Sequence, residues 1–159
     1  MAKILILYCS RTGNTEKMAG MIAEGVKAEG LEAMLKNVET ATVDDLVGAD
    51  GIVIGSPVYY GDMAAHVKKL IDDSVTSHGE LEGKVGAAYA ASWNVAGGNE
   101  TTILSILKAM LIHGMIIQGD PEGDHFGPVS IGAPDERAIG QCKRMGQRLA
   151  TLVKKLENS

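Results

Sequence analysis

The sequence predicts a single α/β domain in which a five-stranded parallel sheet is covered by helices on both faces. Three observations lead to this fold class. Short apolar runs alternate with helical patterns along the chain, which is typical of βαβ units. Several of the runs are continuously apolar, as expected for strands buried on both faces. No linker, repeat or break in composition divides the 159 residues, so we expect one domain spanning 1–159.

The five predicted strands are short segments flanked by turn residues. The first is a continuous run of apolar side chains, and the second alternates apolar with charged residues. The third is again fully apolar, and Pro57 should prevent it from extending further. The fourth consists of small residues, and the fifth is a short apolar run. They span residues 4–8, 31–38, 51–55, 85–91 and 115–117.

The predicted helices follow from apolar positions that recur every three or four residues. In the first helix these positions precede Gly30, a stop signal. In the third, Ala65, Leu70 and Ile71 define an apolar face. Gly114 follows the fourth helix as a C′ residue. The predicted helices span residues 15–29, 43–47, 64–77, 101–113 and 135 to about 157.

Composition excludes several functional classes. A formal charge of −5 argues against a nucleic-acid partner, which requires a basic face. No run approaches the roughly 20 apolar residues of a membrane span. The two cysteines, Cys9 and Cys142, show no metal-ligand spacing, and the acidic residues near His125 are best interpreted as a solvated loop. We therefore expect a reduced, cytoplasmic protein without a metal site.

The loop after the first strand is a candidate phosphate site. It supplies three hydroxyls, and its glycine lets the backbone approach a ligand closely. The following helix presents free N–H groups and the positive end of its dipole. An ordinary helix N-cap followed by a turn glycine explains these residues equally well. The segment is Ser10, Arg11, Thr12, Gly13, Asn14 and Thr15, and it lacks the Gly-Lys-Ser/Thr of a Walker A loop.

The loops after the third and fourth strands carry unusual aromatic residues. Tyr59 and Tyr60 could edge a flat aromatic ligand, or they could simply cap the end of the sheet. Trp93, the only tryptophan, lies among polar residues and glycines, where it could stack on such a ligand or fold back onto the domain. The predicted binding segments are Pro57, Val58, Tyr59, Tyr60 and Gly61, and Ser92, Trp93, Asn94, Val95, Ala96 and Gly97. Backbone N–H groups near Gly97 and Gly98 could face the polar edge of the ligand.

These motifs resemble a known group of proteins. The run Ser-Arg-Thr-Gly-Asn-Thr is similar to the FMN phosphate loop of the flavodoxin superfamily. Gly-Ser-Pro-Val-Tyr-Tyr-Gly-Asp-Met-Ala, Gly-Gly-Asn-Glu-Thr-Thr and His-Gly-Met resemble segments of the tryptophan-repressor-binding-protein-like NAD(P)H:quinone oxidoreductases. The resemblance covers most of the chain. It implies a flavodoxin-like three-layer sandwich with strand order 2-1-3-4-5.

The resemblance also implies a cofactor, partners and site residues. FMN would bind to the three loop segments named above, with the phosphate at Ser10 to Thr15 and the ring near Trp93. His113 would approach the ring from the end of its helix as a catalytic residue. NAD(P)H and a quinone-like acceptor would be the partners, and a homo-oligomer is compatible with the family.

One alternative function is an electron-carrier flavodoxin that docks on redox proteins. Trp93 and the acidic charge favour this carrier role. A phosphoryl receiver is disfavoured, because its acidic positions are here Tyr8, Cys9 and Ser10, and Gly55, Ser56 and Pro57.

Overall fold

A sheet built on five parallel strands lies at the centre of the molecule. The computed structural model describes residues 1–159. The strands pair in the order β2-β1-β3-β5-β6, and because β5 and β6 are the fourth and fifth predicted strands, this confirms the order 2-1-3-4-5. Two short strands are additions: β4 pairs antiparallel with β3, and β7 pairs parallel with β5. The strands are β1 Lys3–Tyr8, β2 Glu32–Asn37, β3 Gly51–Tyr59, β4 Asp62–Met63, β5 Val85–Ser92, β6 Ile116–Ile117 and β7 Val129–Ile131.

Helices cover both faces of the sheet and form two separate apolar cores. One core holds 17 buried residues, drawn mainly from α1, α5 and one face of the strands. The other holds 19, drawn mainly from α2, α3, α4 and the opposite face. None of the helices combines the length and apolar character that a membrane span requires. The helices are α1 Asn14–Ala28, α2 Val43–Val47, α3 Ala65–Asp73, α4 Asn99–Ile112 and α5 Glu136–Glu157.

The predicted third helix differs from the observed one. α3 ends at Asp73, and a 3₁₀ turn continues from Ser74 to Ser77. Ala65 is exposed, and Ala64 and Val67 face the core in its place; Leu70 and Ile71 pack against the core as predicted. The position of the helix was therefore predicted correctly, but its apolar face begins at Ala64 and not at Ala65.

The prediction that Pro57 ends the third strand is wrong. β3 continues through Pro57 to Tyr59, and Pro57 pairs with Ala91 of β5. Pairing between β1 and β3 stops at Ile54, so beyond that point β3 has a strand on one side only. A proline is tolerated there because its missing N–H can face the side without a strand.

The fifth strand is interrupted, which the sequence did not predict. β6 pairs with the beginning of β5 and β7 with its end, and residues 118–128 form a loop between them. Asp120 anchors this loop to α5 through Arg144, whose Nε and Nη2 donate to its carboxylate at 2.6 and 2.9 Å. The Arg144 guanidinium holds the pKa of Asp120 well below its usual value. The loop is therefore a fixed cover over the edge of β5.

Candidate functional site

Three chain segments meet at the carboxyl edge of the central strands and line one cleft of about 400 Å³. The cleft lies between β1 and β3, where the order of the strands in the sheet reverses, which is the usual place for a ligand in such sheets. The lining residues are Ser10, Arg11, Thr12, Asn14, Thr15, Pro57, Val58, Tyr59, Ala91, Ser92 and Trp93. All but Ala91 belong to the predicted binding segments.

The loop after β1 leaves the start of α1 open. Gly13 is the N-cap with φ 89°, and no side chain caps the helix. The Ser10 hydroxyl accepts a hydrogen bond from the Gly13 N–H at 2.7 Å, and Thr15 Oγ1 donates to the Cys9 carbonyl at 2.7 Å. An ordinary capping role would place a serine or threonine oxygen on the first-turn N–H groups. These groups instead remain available to an anion, which supports the phosphate-site interpretation.

Tyr59 and Tyr60 have different positions at the end of β3. Tyr59 lines the cleft and is 38% exposed, and the Arg11 guanidinium carbon lies 5.5 Å from the centre of its ring. Tyr60 has φ 49° in the turn before β4 and is fully exposed outside the lining. Gly61 completes this turn with φ 77°. The structure therefore brings Tyr59 into the cleft and leaves Tyr60 on its outer rim.

The loop after β5 forms the other aromatic wall. Trp93 is 76% exposed, so it stands away from the domain and is not folded back into a core. Ser92 fixes the start of this loop. Its Oγ donates a hydrogen bond to the Asn94 carbonyl at 2.9 Å and accepts one from Asn99 Nδ2 at 2.8 Å. The Gly97 N–H donates to the Asn94 carbonyl at 3.1 Å. That N–H is therefore engaged within the loop, contrary to the expectation that it faces a ligand.

Part of the predicted set lies outside the cleft lining. Asn94, Val95, Ala96 and Gly97 form the tip of the loop after β5, and Val95 is 81% exposed. Sequence reasoning missed Asn99, a buried residue of α4 whose Oδ1 has no hydrogen-bond partner. Its position directly after two glycines, at the start of a helix, was the available signal.

The structure places His113 away from the cleft of its own chain, whereas the resemblance implies that this residue approaches the ring. α4 begins beside the cleft and runs to the opposite edge of the sheet, where Gly114 accepts a hydrogen bond from Gly83, two residues before β5. The eight residues of β5 separate that edge from the cleft by about 23 Å. His113 Nε2 instead lies 2.8 Å from Ser74 Oγ. Burial, and to a lesser extent the nearby His78, lowers the pKa of His113.

The donor set of the cleft fits FMN. The open helix N-terminus and the hydroxyls of Ser10 and Thr12 suit its phosphate, and the exposed faces of Tyr59 and Trp93 suit a flat ring. Cys9 lies beside this site, and burial raises the pKa of its thiol, which disfavours the thiolate form. No group of three side chains in the structure could hold a metal ion.

Comparisons with known proteins agree with this geometry. The flavodoxin domain family matches residues 5–103. A flavodoxin of Aquifex aeolicus is 40% identical, with 96% of this chain and 88% of the relative covered. An NAD(P)H dehydrogenase (quinone) of Archaeoglobus fulgidus is 33% identical, with 98% and 100% covered. A solved flavodoxin from the domain Archaea superimposes with a TM-score of 0.78 at 27% identity, covering 96% of this chain and 99% of that one.

The family match covers more than half of the chain, and both relatives are similar over nearly its whole length. The flavodoxin-like fold and the resemblance to quinone oxidoreductases are thereby confirmed. The chain belongs to the flavodoxin family, is related to flavodoxins and to NAD(P)H:quinone oxidoreductases alike, and has FMN as the cofactor that this membership implies.

Proposed function

We propose that the chain is an FMN-dependent oxidoreductase that takes electrons from NAD(P)H and passes them to a quinone-like acceptor. The observation that carries this proposal is the openness of the cleft between its two aromatic walls. Tyr59 and Trp93 both lie at the mouth with much of their surface in contact with solvent. A flat cofactor between them stays within reach of small molecules. The relatives named NAD(P)H dehydrogenase (quinone) support the same role.

Different residues of the cleft would bind the phosphate and the ring of FMN. Ser10, Thr12 and Thr15, together with the first-turn N–H groups of α1, would hold the FMN phosphate. Tyr59 and Trp93 would orient the ring. Bound FMN supplies the redox chemistry, because it accepts electrons in pairs and releases them singly or in pairs. No side chain of the cleft needs to act as an acid or base.

A second candidate is a one-electron carrier between redox proteins. Tyr60, Trp93 and Val95 form an exposed apolar rim beside the cleft, which suits docking of a protein. The relatives named flavodoxin are 40% and 37% identical to this chain. A carrier would need no nucleotide site, since a separate reductase would deliver its electrons. The two roles therefore differ in whether NAD(P)H alone reduces the bound cofactor.

The test is anaerobic mixing of FMN-loaded protein with NADPH and then with NADH, followed by visible absorbance. The oxidoreductase role predicts rapid bleaching, with recovery when a soluble quinone is added. Free FMN at the same concentration provides the background rate. Reduction by dithionite but by neither nucleotide would assign the carrier role. If no flavin spectrum can be reconstituted, both roles are wrong.

A further inference from the structure

Arg11 is the only charged residue among those that line the cleft. Its guanidinium carbon lies 5.5 Å from the ring centre of Tyr59, within the range of a cation–π contact. The side chain therefore reaches from the loop after β1 across to the end of β3. It places one positive charge at the mouth of a cleft that has no negative charge in its lining.

Arg11 differs from the other arginines in having no acidic partner. The chain has four arginines, and the other three lie on α5 and face acidic residues of the 118–128 loop. Arg137 contacts Asp124 at 2.8 Å, and Arg144 and Arg148 contact Asp120 at 2.6 and 3.7 Å. The Arg11 guanidinium forms neither an ion pair nor a hydrogen bond in the structure. All of its N–H donors are therefore free to bind an anion.

The FMN phosphate is a poor match for this guanidinium. That phosphate already has the uncapped start of α1 and the hydroxyls of the same loop. The Arg11 guanidinium carbon instead lies 5.5 Å from the centre of the Tyr59 ring, at the end of β3. The position is suited to a second anion, one that arrives at the mouth from solvent.

We infer that Arg11 binds a phosphate group of the nicotinamide nucleotide that reduces the cofactor. This inference rests on the proposed oxidoreductase function. A guanidinium forms two parallel hydrogen bonds to a phosphate, and such charge-assisted bonds are stronger than neutral ones. The chain carries a net charge of −5, so an anionic nucleotide gains little attraction from the rest of the surface. Arg11 is thus a binding residue for the electron donor.

The test measures binding of NADP⁺ to oxidised, FMN-loaded protein by titration calorimetry, which needs no turnover. We expect Arg11→Gln to weaken NADP⁺ binding about 10- to 100-fold, the effect of losing hydrogen bonds to a charged group. Arg11→Lys keeps the charge but loses the planar fork, so it should restore part of the affinity. Lys108→Gln removes an exposed cation of α4 distant from the cleft and should bind as wild type does. Lys108→Gln should leave the FMN affinity unchanged, and Arg11→Gln should lower the FMN affinity less than the NADP⁺ affinity.

Three results would overturn the inference, and they are distinguishable. If NADPH bleaches the wild-type cofactor and Arg11→Gln binds NADP⁺ as tightly as wild type, Arg11 has no such role but the oxidoreductase function stands. If Arg11→Gln loses FMN affinity as strongly as NADP⁺ affinity, the guanidinium serves the cofactor phosphate. If wild type neither binds NADP⁺ nor is reduced by NADPH, the proposed function fails and the inference fails with it.

Discussion

A Cβ atom on Gly98 would lie 2.6 Å from the Cα of Gly61, so these two glycines hold the loops after β3 and β5 in backbone contact. Gly98 also has φ 117°, a conformation that other residues rarely adopt. Thr101 Oγ1 donates to the Gly61 carbonyl at 2.7 Å and joins the same two loops. The loops therefore form one unit, and their contact sets the distance between the two aromatic walls of the cleft.

Gly98→Ala should damage both the fold and the cleft. The added methyl group meets the Gly61 backbone, and φ 117° is strained for alanine, so we expect a loss of about 1–3 kcal/mol in the free energy of unfolding. FMN affinity should fall by about tenfold or more as the walls separate. Gly140→Ala is the matched control, because Gly140 lies exposed within α5 with open space around its Cβ position. That change should be neutral or stabilising in urea unfolding. Equal unfolding midpoints for Gly98→Ala and wild type would contradict the role of this contact.

Ser10→Ala should weaken binding of the phosphate while sparing the ring. Ser10 Oγ accepts a hydrogen bond from the Gly13 N–H at 2.7 Å, and Gly13 is the N-cap of the uncapped helix α1. We expect FMN affinity to fall about 10- to 100-fold, with riboflavin affinity unchanged because riboflavin lacks the phosphate. Flavin fluorescence titrations measure both. Thr151→Ala, which removes a hydroxyl of α5 bonded to the Gln147 carbonyl, should alter neither affinity. A parallel loss of riboflavin binding would argue against a phosphate site in this loop.

Trp93 should contribute to the affinity for the flavin ring. Replacing it with alanine should cost about 1–3 kcal/mol of binding energy for FMN and riboflavin alike, and Trp93→Phe should cost less. Since Trp93 is the only tryptophan, FMN should quench the indole emission of the wild-type protein in proportion to binding. Tyr60→Asn is the control, because Tyr60 lies outside the cleft lining and asparagine tolerates its positive φ. Unchanged FMN affinity in Trp93→Ala would show that the ring does not stack on Trp93.

His113 should affect stability rather than cofactor binding. Its pKa is lowered in the folded protein by burial and by His78, so the unfolded chain takes up the proton first as pH falls through about 6.5. Stability from the neutral form is therefore present above that pH and is lost below it. His113→Gln should leave the Kd for FMN unchanged and show a smaller loss of stability between pH 7.5 and 5.5 than wild type. Thr151→Ala, which neither adds nor removes a titratable group, should keep the wild-type loss. Urea unfolding at both pH values measures this loss. If wild type and His113→Gln lose the same free energy of unfolding between pH 7.5 and 5.5, the explanation is refuted.

Much of the fold could be predicted because the apolar periodicity of this chain is strong. Strands such as β1 are buried on both faces, so their sequences are continuously apolar and cannot be confused with an exposed loop. The interrupted fifth strand could not be predicted in the same way. β7 has only three residues, and its pairing depends on the loop anchored by Asp120 and Arg144, which are 24 residues apart in sequence.

For the site, the sequence by itself determined which loops follow the central strands, and it made the first of them a candidate phosphate site, because strand ends, glycines and hydroxyls are local features. The tertiary structure alone decided which side chains share the cleft. It places Tyr59 in the cleft lining and Tyr60 outside it, where the chain turns at Tyr60 and Gly61. It also places His113 at the opposite edge of the sheet, because α4 runs from one edge to the other. It also brings Arg11 onto Tyr59, a contact across 48 residues of sequence that no local pattern encodes. Such contacts join segments that are far apart in sequence, and these segments meet only when the sheet has formed.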